Sequence, residues 1–180
     1  ADNNNVVQPE DDHTADPAHI CFVTGNANPG DPAGTNDVDD GQTTLLTPVF
    51  DLSGVNLPII SYWYWYSNQQ GNNPSQDYWV VDISNDGGNI WHNVIRTTYA
   101  TPQIWEREQF MVNTYCTPTN QVQLRFIASD VDPGSLVEAC VDDFLIVGLD
   151  TSWTDNCWEL AEAVDISAEP GNNIRLQWKD

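Results

Sequence analysis

Short runs of β-branched and aromatic residues, each cut off by Gly, Pro, Asn or Asp, recur between residues 45 and 147. This punctuation leaves little room for any fold but a stack of strands. The runs cover 45–52, 59–67, 78–84, 91–99, 105–113, 122–129 and 140–147. Seven or more short strands of this kind predict an all-β chain, a two-sheet jelly-roll sandwich. Residues 1–20 and 25–44 have loop composition, and Trp158 to Ala163 is the one helix-like stretch. Further on, Ala163 to Ser167 and Ile174 to Trp178 flank Glu169-Pro170-Gly171-Asn172-Asn173, which predicts a C-terminal β-hairpin tail. The expected organisation is a sandwich over 1–148, a linker over 149–162 and the hairpin over 163–180. A lone hairpin is barely stable, so the tail is expected to pack on the sandwich or on another copy of the chain.

Strand parity orients the side chains. In 122–129, Val122, Leu124, Phe126 and Ala128 share one face and predict the core side. In 61–67 both faces are aromatic: Trp63 and Trp65 on one, Tyr62, Tyr64 and Tyr66 on the other. One set must leave the core. Either a loop covers it, or Tyr62, Tyr64 and Tyr66 form a stacking platform for a polysaccharide.

Charge narrows the partners. Of the 180 residues, 27 are Asp or Glu and 5 are Lys or Arg, a formal net charge of -22. Such a chain repels phosphate backbones and anionic lipid, so no nucleic-acid partner is expected. No apolar run reaches transmembrane length, so no membrane insertion is expected. The acids are mostly Asp, the residue of turns and of hard-cation sites. They cluster at Glu10-Asp11-Asp12, at Asp37-Val38-Asp39-Asp40-Gly41 and at Glu138 with Asp142-Asp143. Ca²⁺ takes 6–8 oxygen ligands, and no EF-hand loop is present, so a site must be assembled from distant segments. Asp142 alternates with Phe144 and Ile146, which predicts an inward carboxylate. Its partner is then a metal, favoured here, or Arg125.

Other motifs point to structure. Ser84-Asn85-Asp86-Gly87-Gly88-Asn89-Ile90-Trp91 fits the Asp-box pattern Ser-x-Asp-x-Gly-x-x-Trp. There Asp86 accepts backbone N–H groups in a tight turn, the glycines relax the dihedrals and Trp91 plugs the hairpin base. Cys21, Cys116, Cys140 and Cys157 form no CxxC pair, which argues against a zinc ribbon. An even count with scarce Lys fits a secreted protein with up to two disulfides, with three pairings open. No HExxH, GxSxG or P-loop is present, and the Glu106/Glu108 pair is uninformative among so many acids, so no enzyme is expected.

Several segments in order carry a likeness: Cys21-Phe22-Val23-Thr24-Gly25, the run Asn36 to Leu45, the aromatic strand, the Asp-box, Arg125 to Asp130, and Ser135 to Phe144. Together they resemble the MAM-like jelly-roll module of secreted bacterial proteins, over about residues 8–148. Such modules accompany zinc carboxypeptidases, immune-inhibitor-A-type proteases and multidomain surface proteins. The tail resembles the opening hairpin of a fibronectin type III-like domain. The family pattern has strand sequence ahead of Gln8 that this chain does not include. The resemblance implies Ca²⁺ near the acidic loop and the last strand, carried here onto Asp37, Asp39 and Asp142, with Glu10 and Asp12 beside them. It implies a non-catalytic module, secreted, extracellular or at the cell surface, acting in adhesion. Self-association through edge strands, extending to a filament by strand exchange, is a further expectation. An accessory role beside a secreted protease or glycosidase is the other.

Overall fold

A computed structural model describes residues 8–9, 11–14, 17, 20–25, 28, 30–32, 34–101, 104–131 and 134–149, and the backbone of 160–165. The strands are β1 (Phe22–Val23), β2 (Gly41–Leu46), β3 (Ile59–Gly71), β4 (Tyr78–Ser84), β5 (His92–Thr97), β6 (Glu106–Met111), β7 (Gln123–Asp130), β8 (Ser135–Leu149) and β9 (Leu160–Asp165). One sheet has the order β1-β8-β3-β6 and the other β2-β7-β4-β5, every pairing antiparallel. Successive strands change sheet at every step except β4 to β5 and β8 to β9, which is the winding of a jelly roll. The all-β sandwich expected from the runs is therefore the fold. No helix among the described residues is long and apolar enough to cross a membrane.

The core lies between the sheets. Leu124, Phe126 and Ala128 of β7 face in, as parity predicts, against Trp79, Val81 and Ile83 of β4. The facing sheet contributes Tyr62, Tyr64 and Tyr66, each at most 7 % exposed. Their rings stack on Trp79 and edge onto Phe126 at centroid distances of 4.9–5.9 Å. This corrects the stacking-platform expectation for Tyr62, Tyr64 and Tyr66: the tyrosines are core, and no sugar reaches them. The Trp63/Trp65 face is the outer one, and the chain's own N-terminal segment covers it. His13 stacks on Trp63 at 3.7 Å, and Trp65 is fully buried.

The Asp-box forms the β4–β5 turn. Asp86 Oδ1 accepts from the Asn89 and Ile90 N–H groups at 3.0 and 2.9 Å and from the Ser84 hydroxyl at 2.7 Å. These bonds favour the carboxylate, and the Asp86 carboxyl lies below its ordinary pKa, the Ile90 N–H contributing most. Gly87 and Gly88 take φ of 70° and 90°, which a side chain rarely adopts. Trp91 sits half-buried beneath the turn with the Arg125 guanidinium 4.5 Å above its ring. Asp86→Ala is expected to lower the melting temperature and Asp86→Asn to lower it less; two unchanged melts would remove the turn's structural role.

Two local expectations change. Trp158 to Ala163 was expected to be helix-like, yet from Leu160 the backbone is β9, paired antiparallel with Leu145–Leu149 of β8. Cross-strand pairing overrides a short stretch of helix formers. The second strand of the expected hairpin, at 174–178, lies outside the described residues.

Candidate metal centre

Strand β8 organises the acids. Val137, Ala139 and Val141 point into the core, so Glu138, Cys140 and Asp142 point to the outer face. Between the pairs Ser61↔Leu145 and Trp63↔Asp142, β8 carries one residue more than β3, and Asp143 sits at φ 46°. That bulge resets the alternation, so Phe144 and Ile146 return to the core while Asp142 stays outside. The inward Asp142 expected from simple alternation is thereby corrected. Arg125 is not its partner either: it binds Asp82 through Nε and a terminal nitrogen, both at 2.8 Å.

On the outer face two acidic groups are separate. Asp142 accepts the His13 N–H at 2.9 Å, and Asp143 holds His13 Nδ1 at 2.6 Å and the Thr14 hydroxyl at 2.7 Å. Asp12 lies near Asp142, both of its carboxylate oxygens occluded and without a hydrogen bond. Burial first, then Asp143 and Asp12, raises the Asp142 pKa.

The second group surrounds Glu138, four residues back along β8 and so about 13 Å away at roughly 3.3 Å per residue. Glu138 is 3 % exposed. Gln8 Nε2 donates to its carboxylate and, at 2.7 Å, to the Gly25 carbonyl, and the Thr24 hydroxyl donates at 3.4 Å. Burial, with repulsion from Asp37, pushes the Glu138 carboxyl up to about 7. Asp37 is brought in by the Val38↔Val137 bridge. The loop turns sharply around it, with Asn36 and Asp40 at φ 67° and 50°. Burial first, then Asp39 and Asp130, raises the Asp37 carboxyl, and its buried Oδ2 has no hydrogen bond.

The structure thus gathers Asp37 with Asp39 and Glu138, and Asp12 with Asp142, as two groups along the outer face of β8, while Asp130, close enough to raise the Asp37 carboxyl, points between the sheets. Glu10 lies outside the described residues. Sequence reading passed over Glu138 as a ligand and missed Asp130; a lone acid inside Leu136-Val137-Glu138-Ala139 was the available signal. Among the described residues no three carboxylate, imidazole or thiol groups converge on one point. An ion here therefore takes two carboxylates at most and completes its shell with neutral oxygens. The Gly25 carbonyl, the Gln8 amide, the Thr24 hydroxyl and water are of the right kind. The orphaned Asp37 oxygen beside a buried Glu138 fits a hard cation.

Cys21 and Cys140 meet across β1 and β8. The Cys140 thiol donates to Cys21, which raises the Cys140 pKa and lowers that of Cys21. Cys116 is half-buried and Cys157 lies outside the described residues.

A cleft of about 230 Å³ opens between β1 and β2, reaching Trp79, Phe126 and Val141. Thr24, Thr43, Thr44 and Cys140 are its polar lining, without a carboxylate or imidazole. Glu106 accepts from the core Tyr64 hydroxyl at 3.4 Å. The chain matches no protein-family model and no curated protein.

Proposed function

We propose that this chain is a non-catalytic, Ca²⁺-stabilised β-sandwich module of a secreted or cell-surface protein. The observation that carries the proposal is the buried Glu138 carboxylate beside Asp37, whose Oδ2 is orphaned, with no basic side chain among the Glu138 hydrogen-bond partners in the described residues. Burying like charges together is costly unless a counter-charge arrives. A divalent ion supplies it and ties the N-terminal segment and the 36–40 loop to the last sandwich strand. Its work is structural: it offsets carboxylate repulsion and fixes loops for adhesion. Addition of calcium to chelator-treated protein is expected to raise the melting temperature, and magnesium to do so much less. No shift with either ion would contradict the proposal.

Self-association falls to edges that pair with no described strand, the outer sides of β1, β2, β5, β6 and β9. Strand exchange at β8 competes with the chain's own β9 along Leu145–Leu149.

A secreted module meets an oxidising medium, and there Cys21 and Cys140 are expected to form the disulfide. It would fasten β1 to β8 across a long loop and add roughly 2 kcal/mol of stability. Peptide mapping of air-oxidised protein checks this. A Cys21–Cys140 cross-link is expected, and Cys116 joined to either would contradict it.

A further inference from the structure

The inner end of the core holds a second group of acids, on the opposite side of the sheet from Glu138. The register Tyr78↔Ser129 places Asp77, just ahead of β4, directly across from Asp130, the last residue of β7. Parity with Trp79 and Val81 on one strand and with Phe126 and Ala128 on the other points both carboxylates between the sheets. They are 0 % and 1 % exposed. Each has one oxygen engaged: Asp77 Oδ1 accepts the Val131 N–H at 2.8 Å and Asp130 Oδ2 the Asp40 N–H at 3.4 Å. Asp77 Oδ2 and Asp130 Oδ1 have no partner.

The facing sheet brings two neutral side chains to the same place. Tyr66 and Asn68 alternate inward on β3, and both are fully buried. The Tyr66 hydroxyl lies against Asn68 and faces both Asp77 and Asp130, and it has no hydrogen bond of good geometry. The Asn68 amide nitrogen donates to the carbonyls of Asp77 at 2.9 Å and Thr98 at 3.1 Å, and its Oδ1 has no partner. Four oxygens without a hydrogen-bond partner therefore meet at one end of the core, two of them on carboxylates. Directly opposed like charges destabilise a strand pair. The three described arginines are placed elsewhere: Arg125 on Asp82, Arg96 over the Tyr78 ring and Arg107 on Ser61.

We propose that a divalent cation binds here, closing the end of the inter-sheet core, with Asp77 and Asp130 as carboxylate ligands and Asn68 Oδ1 as a neutral one. An all-oxygen set selects a hard ion, and two carboxylates with an amide oxygen suit Ca²⁺. The ion joins β3 of one sheet to β4 and β7 of the other, a link that the pairings within each sheet do not make.

The test is calcium titration of the chelator-stripped full chain, followed by calorimetry and by terbium luminescence excited through the neighbouring aromatic rings. The wild-type chain is expected to take up two ions. Asp130→Asn and Asp77→Asn are each expected to lose one ion and part of the terbium signal, whereas Glu138→Gln loses the other ion and keeps the one between the sheets. Thermal melts give a second readout. Without calcium, Asp130→Asn removes repulsion and melts above wild type; with calcium it melts below. Unchanged stoichiometry and luminescence in both Asn variants would overturn the proposal, leaving water or a shared proton between the two acids. A wild type with one ion that survives Glu138→Gln and vanishes in Asp130→Asn would retain this site and remove the one at Glu138.

Discussion

Chelation of calcium is expected to lower the melting temperature of this chain by about 10 °C. An ion that binds only the folded state stabilises it by RT ln(1 + [L]/Kd), about 2.7 kcal/mol at a hundredfold excess over Kd and about 4.1 at a thousandfold. A chain of this size shifts by roughly 2–4 °C per kcal/mol. The effect would arise because the ion replaces repulsion as well as adding bonds: the half-buried Asp37 lies close to the buried Glu138, with Asp39 and Asp130 near Asp37. The shift grows with the logarithm of calcium concentration, which separates binding from a general salt effect. A change below about 2 °C across millimolar calcium and excess chelator would leave the carboxylates without an ion to explain them.

The second large effect expected is a pH dependence that calcium flattens. In the ion-free protein the Glu138 carboxyl titrates at about 7, against an ordinary 4.5 in the unfolded chain. Between these values the folded state holds the extra proton. Stability is therefore full below about pH 4.5 and is lost as pH rises through 7, by up to about 3 kcal/mol. Asp37, Asp130 and Asp142 are shifted in the same direction by burial and by neighbouring acids, and they extend the loss at the acidic end. An ion bound there would take the place of the proton, so saturating calcium is expected to flatten the profile above pH 6 and to bind more tightly as pH rises. Melting curves from pH 5 to 8, with and without calcium, read this directly. Parallel profiles would contradict it, and Glu138→Gln is expected to remove most of the ion-free slope.

The strands were legible because each run alternates over a half-buried surface and ends at a breaker. Tyr78–Ser84 stands in the structure with the bounds read from its residues. β1 was not legible: two residues, Phe22–Val23, give no periodicity, and their place is set by pairing with Cys140 and Val141. The aromatic strand β3 showed that one set of rings had to leave the core. With both faces aromatic, nothing local decided between Tyr62 and Trp63; the His13 contact decided it from far along the chain. Asp142 failed for another reason. One extra residue at Asp143 inverts every parity argument across it, and neither aspartate announces a bulge.

The site residues followed the same rule. Asp37 and Asp39 stood out because they crowd a turn; in the structure Asp37 is half-buried near Glu138 and Asp130, and Asp39 is exposed beside it. Asp77 and Asp130 did not, because each sits one residue outside an apolar run and their opposition exists only once β4 and β7 are in register. Long-range pairing, invisible to local pattern, decides which acids meet.

Crystals grown in calcium and measured for anomalous scattering test the central claim most directly. A calcium peak is expected within bonding distance of Glu138 and Asp37, with the Gly25 carbonyl beside it. Those two carboxylates turned apart and hydrogen-bonded to water alone, in millimolar calcium, would contradict it.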